Sequence, residues 1–295
     1  VEEGFLFFAL PGEKEDGGEF IAEAKARGAA CAVCEHPPET EIPYILVPDA
    51  HKALALCAAV WYGTPAGKLT VVGVTGTNGK TTTTYLIKQL LERTKGTKVG
   101  LIGTNQNLIS DKTIPTDRTT PDALTVQRLL AQMVDAGCTY AVMEVSSHAL
   151  MQSRVEGIQF RVGVFTNLTQ DHLDYHGTME AYCDAKSRLF DQCDIACVNG
   201  DDAWTERLLA RFTSERITFG QGMTNDLVGW RARYENDCVR FTACTDFDHE
   251  ETKIGIPGGF SLYNALAALC AVQALGVPLS DAAKALTECV GVKGR

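Results

Sequence analysis

The sequence predicts a doubly wound α/β protein. Three observations carry that expectation. Short apolar runs alternate with helical stretches over residues 69–219, and an apolar strand runs into a glycine-rich turn that opens a helix at 73–82. The third is the balance of 45% hydrophobic against 22% charged residues, which is that of a globular chain and excludes disordered and fibrous classes. At roughly 100 to 200 residues per domain, 295 residues suggest about two domains.

Residues 1–66 are expected to form a small N-terminal α/β domain, with strands at 5–10, 31–34 and 44–47 and helices at 19–27 and 49–61. The breakers Tyr62-Gly63-Thr64-Pro65-Ala66-Gly67 mark its end. Residues 67–295 form the second, central domain. Its strands are expected at 69–75, 98–102, 140–145, 160–165, 195–198 and 216–219, with helices at 80–93, 122–136, 179–190 and 203–212. Strands that alternate with helices imply a mostly parallel sheet. The stretch 227–256 reads instead as an antiparallel portion, and 262–275 as a closing helix.

Charge and cysteine usage narrow the function classes. The chain has 27 Lys and Arg against 37 Asp and Glu, a net charge of −10, so it has no cation surplus to displace phosphate counterions. Nucleic acid and membrane surfaces are therefore not expected partners. No apolar stretch approaches the ~18 residues of a membrane span. The start, Val1 to Gly12, has a short apolar run without a basic leader or small-residue cleavage pattern, and reads as a strand. Eleven scattered cysteines, an odd number, fit free thiols in a reducing compartment. A cytoplasmic monomer is expected. Cys31 and Cys34 have redox or zinc spacing but lie in an apolar strand without a second ligand pair, so core thiols are expected; His36, His51 and His249 receive no role.

The run Gly73-Val74-Thr75-Gly76-Thr77-Asn78-Gly79-Lys80-Thr81-Thr82 has the setting of a phosphate-binding loop, after a strand and before a helix. Gly76 and Gly79 let backbone N–H groups turn toward phosphate oxygens, and the helix N-terminus adds positive potential. Lys80 neutralises charge, and the Thr81 hydroxyl can ligate magnesium. Val74 stands where the strict pattern has glycine, so the loop is a variant one. ATP is the expected nucleotide.

Further along, Glu144 ends an apolar strand at the carboxyl edge where open α/β sheets bind ligands. It suits magnesium, although a strand-end acid also caps turns. Asp171, His172, Asp174 and His176 crowd one loop with oxygen and imidazole donors, a pattern that also fits a solvated turn. Lys186 lies in a helical segment, where lysines are usually solvated. Thr119 and Thr120 precede Pro121 and are placed to cap the helix from Asp122.

Gly-Thr-Asn-Gly-Lys-Thr-Thr at 76–82 resembles the Mur ligases of peptidoglycan synthesis and their folylpolyglutamate synthetase relatives. Gly100-Leu101-Ile102-Gly103-Thr104, Arg118-Thr119-Thr120-Pro121, Met143-Glu144-Val145-Ser146-Ser147-His148 and 166–176 extend the likeness over nearly the whole chain. They favour the Mur branch that adds the third amino acid of the stem peptide, and argue against a folylpolyglutamate synthetase. The resemblance implies an ATP-dependent ligase that adds diaminopimelate or lysine to the D-glutamate of UDP-N-acetylmuramoyl-L-alanyl-D-glutamate through an acyl phosphate. It implies that Thr81, Glu144, His172 and Lys186 hold magnesium ions, Lys186 as a carbamate, with Lys80, Lys186 and His172 catalytic.

It also implies nucleotide contacts from Gly76 to Thr82 and from Asn264 and Arg295. Muramoyl-dipeptide contacts are implied for Asn78, Thr119, Thr120, Ser146, Gln152 and Arg154. The first domain is the incomplete UDP-substrate domain and the second the ATP-binding domain. The family's C-terminal Rossmann-like domain, with its Asp-Asn-Pro-Arg motif, is absent from the sequence. A truncated chain is therefore expected, inactive alone. A non-catalytic nucleotide-binding regulator is the alternative from another functional class.

Overall fold

A computed structural model describes residues 1–12 and 15–292. Three short parallel strands, β1 (Leu6–Phe8), β2 (Cys31–Cys34) and β3 (Tyr44–Leu46), form the first sheet in that order. Helix α1 (Ile21–Ala26) packs its Ile21 and Ala24 into the small core under this sheet. Helix α2 (Ala50–Trp61) starts where the Asp49 carboxylate accepts from the Lys52 amide at 2.8 Å, an N-cap that satisfies an otherwise orphaned donor. A Lys52–Glu156 ion pair at 2.7 Å links it to the rest of the chain.

Among the described residues the second sheet has eleven strands. Its parallel centre comprises β4 (Thr70–Thr75), β5 (Val99–Ile102), β8 (Tyr140–Glu144), β9 (Phe160–Phe165), β10 (Cys193–Asn199) and β11 (Glu215–Gly220). The order across it is β5-β8-β4-β9-β10-β11, so β4 lies at the point where the winding reverses, the place where open α/β sheets bind ligands at the carboxyl ends of their strands. A hairpin of β6 (Asn107–Ile109) and β7 (Lys112–Ile114) continues beyond β5.

At the other edge β12 (Leu227–Tyr234) pairs parallel with β11. It then pairs antiparallel with β13 (Val239–Cys244), which pairs in turn with β14 (His249–Ile254). The expected antiparallel portion is present, but its first strand belongs to both patterns.

Helices cover both faces, as a sheet with near-continuous apolar strands requires. On one side α3 (Lys80–Lys95), α9 (Gly259–Ala274) and α10 (Leu279–Leu286) share a core with Val72, Val74 and Val164. On the other, α4 (Ala123–Asp135), α7 (Met179–Ser187) and α8 (Thr205–Leu208) pack on Met143, Phe160 and Phe165. Two short helices, α5 (Ser147–Met151) and α6 (Leu173–His176), pack against α7.

Three expected helices are shorter by three residues or more than the sequence suggested, the first at 19–27, which is α-helical only in α1 after a 3₁₀ turn at Gly17–Phe20. The stretch 203–212 is helical only in α8, because from Ala210 the amides bond three residues back, Ala210 to Arg207 at 3.2 Å and Phe212 to Leu209 at 2.9 Å. Helix α7 stops at Ser187, before a 3₁₀ turn at Phe190–Gln192. No helix among the described residues is long and apolar enough to cross a membrane.

Candidate active site

The loop from β4 to α3 is shaped by two glycines. Gly76 has φ 143° and Gly79 φ 88°, backbone that L side chains rarely adopt. A Cβ on Gly76 would strike the Thr166 hydroxyl and one on Gly79 the Asn264 amide, so both positions require hydrogen.

The loop is fastened to the segment after β9. The Thr77 amide donates to the Asn167 carbonyl at 2.8 Å and the Asn78 amide to Asn167 Oδ1 at 3.0 Å. The Thr166 hydroxyl donates to the Asn78 carbonyl at 2.6 Å, and the Thr169 amide to the Thr77 hydroxyl at 3.0 Å. Lys80 curls back, its Nζ donating to the Gly76 and Thr77 carbonyls at 2.8 Å each. Thr82 is half-buried in the first turn of α3.

Glu144, at the end of β8, is 0% exposed. Its carboxylate accepts from the Thr81 hydroxyl at 3.0 Å and from the Thr104 amide and hydroxyl at 2.8 and 2.9 Å. These donors are neutral, so the buried carboxyl group lies against a hydroxyl at the foot of the loop. Hard oxygen donors of this kind suit magnesium. Thr104, at the end of the neighbouring strand β5, was given no role by the sequence; the signal was its place one strand from Glu144.

Lys186 is 1% exposed on α7, and its Nζ donates to the Gly76 carbonyl at 3.0 Å while lying 4.3 Å from the Tyr182 ring centroid. Burial, and then the nearby Lys80 ammonium, push its amine well below the ordinary lysine range. The solvated helical lysine that sequence physics alone suggested is not what the fold provides. His172, half-exposed with φ 52°, lies near the same tyrosine, its ring 6.1 Å from that of Tyr182 and steeply inclined to it. Asp171 accepts from the His172 amide at 2.9 Å.

His176 stacks on Tyr182 at 4.9 Å and meets the Ser147 hydroxyl at 2.9 Å. Burial, then His148, Lys186 and His172, push its pKa down to about 4. Asp174, in the first turn of α6, is the remaining acid of that loop.

A second group of residues joins the first through Glu144. The Thr120 hydroxyl, buried, donates to the Glu144 backbone carbonyl at 2.9 Å and accepts from the Ser146 amide at 3.1 Å. Thr120 and Thr119 therefore do not cap α4. The capping group is Asp122, whose carboxylate accepts from the Thr125 amide at 3.0 Å. The Thr119 hydroxyl lies 3.1 Å from that of Thr104. Ser146 caps α5 through the Ala149 amide at 3.2 Å.

Arg154 donates through Nη1 to the Thr120 carbonyl at 2.8 Å, and through Nε and Nη2 to Gln152 Oε1 at 3.0 and 2.6 Å. Burial, then Arg118, lower its pKa. Asn264 on α9 reaches the loop at Gly79. Arg295 lies outside the described residues. Cys31 and Cys34, three apart on β2, point to opposite faces and form no common site.

A glycine-cradled loop after the central strand, with a buried carboxylate ending the next strand, defines a P-loop nucleotide-binding α/β protein. The chain belongs to the Mur ligase family: the Mur ligase middle domain matches residues 74–272, and the Mur ligase family catalytic domain matches 1–62.

The UDP-N-acetylmuramoyl-L-alanyl-D-glutamate--2,6-diaminopimelate ligase of Geobacillus kaustophilus (strain HTA426) is 43% identical over 304 residues, across 100% of this chain and 62% of its own. The ligase of the same name from Clostridium botulinum (strain ATCC 19397 / Type A) is 40% identical over 300 residues, with the same coverage. A solved structure of a ligase of that name superposes with a TM-score of 0.88 at 29% identity, over 100% of this chain and 62% of that one. The chain thus spans about three fifths of the length of these relatives.

Proposed function

We propose that the chain carries the nucleotide site and part of the acceptor site of an ATP-dependent amide-bond ligase of peptidoglycan synthesis. The reaction joins 2,6-diaminopimelate to the D-glutamate of UDP-N-acetylmuramoyl-L-alanyl-D-glutamate. Relatives of about 40% identity bear that name, which favours diaminopimelate over lysine. One observation carries the reading: a second lysine, Lys186, buried on the carbonyl of Gly76 in the phosphate loop. Simple ATP binding gives no reason to bury a second lysine amine beside Lys80. Ligation does, once the lysine is carbamylated. A buried, neutral amine attacks carbon dioxide, releases a proton and becomes an anion fit for a metal.

The residues divide the work. The amides of Gly76 to Thr82 and the Lys80 ammonium hold the ATP phosphates, with Asn264 and Arg295 completing the nucleotide contacts. Asn78, Thr119, Thr120, Ser146, Gln152 and Arg154 hold the muramoyl dipeptide, the Arg154 guanidinium being suited to a carboxylate. A D-glutamate carboxylate oxygen attacks the γ-phosphorus and ADP leaves. The amine then attacks the acyl carbon, and phosphate departs. Thr81, Glu144, His172 and carbamylated Lys186 would hold magnesium, which when bound would supply charge neutralisation for the transferring phosphoryl group.

The division at 66/67 into UDP-substrate and ATP domains, the monomeric state and the cytoplasmic location belong to the same proposal. That all eleven cysteines are unpaired supports the last.

The test is phosphate release by the full-length protein with ATP, magnesium and the muramoyl dipeptide, offering diaminopimelate, lysine or neither, beside a Lys186→Ala control. Release with diaminopimelate alone, lost in the control, is expected. No release from a folded protein that still binds ATP would favour a nucleotide-binding regulator.

A further inference from the structure

The exposed face of the antiparallel strands carries a concentration of cations that the ligase reading does not use. Arg233 on β12 is the cross-strand partner of Arg240 on β13, and Arg240 is in turn the partner of Lys253 on β14. Three like charges thus occupy one row, with neighbouring strands about 4.8 Å apart, an arrangement that destabilises a sheet. Only Arg240 is balanced, its Nε donating to Glu235 at 3.1 Å; among the described residues neither Arg233 nor Lys253 has an ion-pair partner. In a chain of net charge −10 such a row is not explained by general surface polarity.

The backbone is bent to build this face. Between the pairs Trp230–Thr242 and Arg233–Arg240, β12 has two residues where β13 has one, a bulge. Residues three apart in a strand normally face opposite ways; the extra residue puts Trp230 and Arg233 on the same side. Arg231, within the bulge, takes φ 52° and lays its guanidinium 3.9 Å from the Trp230 ring centroid. The result is a groove of about 700 Å³, with Trp230, Arg231, Arg233, Arg240 and Lys253 in its wall and, among the described residues, Glu251 as its one acid. Its volume is that of a small-molecule site. It lies four strands from β4, roughly 19 Å across the sheet, and so is separate from the phosphate loop.

We propose that this groove is a second anion site, for a small molecule that bears linked phosphates. Arginine forks match phosphate oxygens bidentately, and a row of cations suits two adjacent phosphates better than a single one. The Trp230–Arg231 pair offers a flat surface for an attached base or sugar. A long nucleic acid is disfavoured by the chain's net charge, whereas a small ligand meets chiefly the local field, because charges beyond about 8 Å are screened at physiological salt.

The test follows the indole N–H resonance of Trp230 by ¹⁵N NMR. The sequence has three tryptophans, and Trp230→Phe assigns the signal, which also separates this site from pyrophosphate binding at the loop. Pyrophosphate should shift it saturably, leaving the other two tryptophans in place, and chloride at equal ionic strength should not. Orthophosphate, pyrophosphate, ADP and UDP are compared. Tighter binding of a nucleotide indicates an organic ligand, and equal binding of pyrophosphate an inorganic one.

The double variant Arg233→Ser/Lys253→Ser should weaken binding about a hundredfold, roughly tenfold per charge lost. It should also melt at a higher temperature, since the like-charge row is relieved and the Glu235–Arg240 pair kept. No saturable shift with any of the four probes, an equal shift with chloride, or undiminished binding by the folded double variant would overturn the proposal.

Discussion

A Lys186→Met variant isolates the energetics of the buried amine. Lys186 is 1% exposed, and burial followed by Lys80 holds its pKa well below the ordinary lysine value. Between that lowered pKa and the free-lysine value of about 10.4, the unfolded chain binds a proton that the folded chain does not. Stability therefore rises with pH across this window, by about 1.4 kcal/mol per pH unit, and levels off above it. Methionine keeps the length and apolar stem without titrating; losing the bond to the Gly76 carbonyl adds a pH-independent offset of about 1 kcal/mol.

Urea unfolding of both proteins in carbon dioxide-free buffer, from neutral pH to pH 10.5, gives the comparison, and subtraction removes the other titrating groups. The wild-type-minus-variant stability should climb with that slope, and its lower break reads the folded pKa of Lys186. A difference that stays flat up to pH 10 would refute the assignment of a neutral buried amine.

Three further outcomes follow from the site. Gly79→Ala places a Cβ against the Asn264 amide at φ 88°, so it should cost about 1–3 kcal/mol in an unfolding measurement and abolish ADP binding in a calorimetric titration. Glu144→Gln keeps the shape, with its oxygen accepting from the Thr104 amide and its NH2 donating to the Thr81 and Thr104 hydroxyls, while removing the carboxylate; the protein should fold normally, but magnesium should no longer tighten nucleotide binding, as titrations with and without the ion would show. Arg154→Lys loses the fork that holds both Gln152 and the Thr120 carbonyl, and should raise KM for the muramoyl dipeptide about tenfold or more in steady-state assays of the full-length protein.

The parallel core was legible because its strands are continuous apolar runs that end at breakers, and its helices carry strong caps or turns. The phosphate loop was legible because its glycines are required by φ rather than by packing alone. What escaped notice has little sequence signal. Strands β6 and β7 are three residues each, and α5 and α6 span barely one turn. Helix α10, with Leu279, Ala282, Ala283 and Leu286 on one face, has a helical period in the sequence but lies beyond the closing helix expected at 262–275.

The site shows the same division. Glu144 could be placed from its strand end, but Lys186 is a polar residue on a helix, and only the fold shows that Tyr182, Gly76 and Lys80 surround it. Thr120 was placed by family likeness, and its local role was misread: the Asp122 carboxylate, two residues on, is the better cap, leaving the Thr120 hydroxyl to join Glu144 to Ser146.

The central claim is that this site activates a carboxylate by phosphorylating it. The most direct measurement uses the muramoyl dipeptide with ¹⁸O in the D-glutamate carboxylate, together with ATP, magnesium, diaminopimelate and the full-length protein, followed by mass spectrometry of the phosphate released. Transfer of one ¹⁸O into each phosphate is predicted, because the attacking oxygen stays on phosphorus when the amine displaces it. Unlabelled phosphate accompanying amide formation would contradict the account.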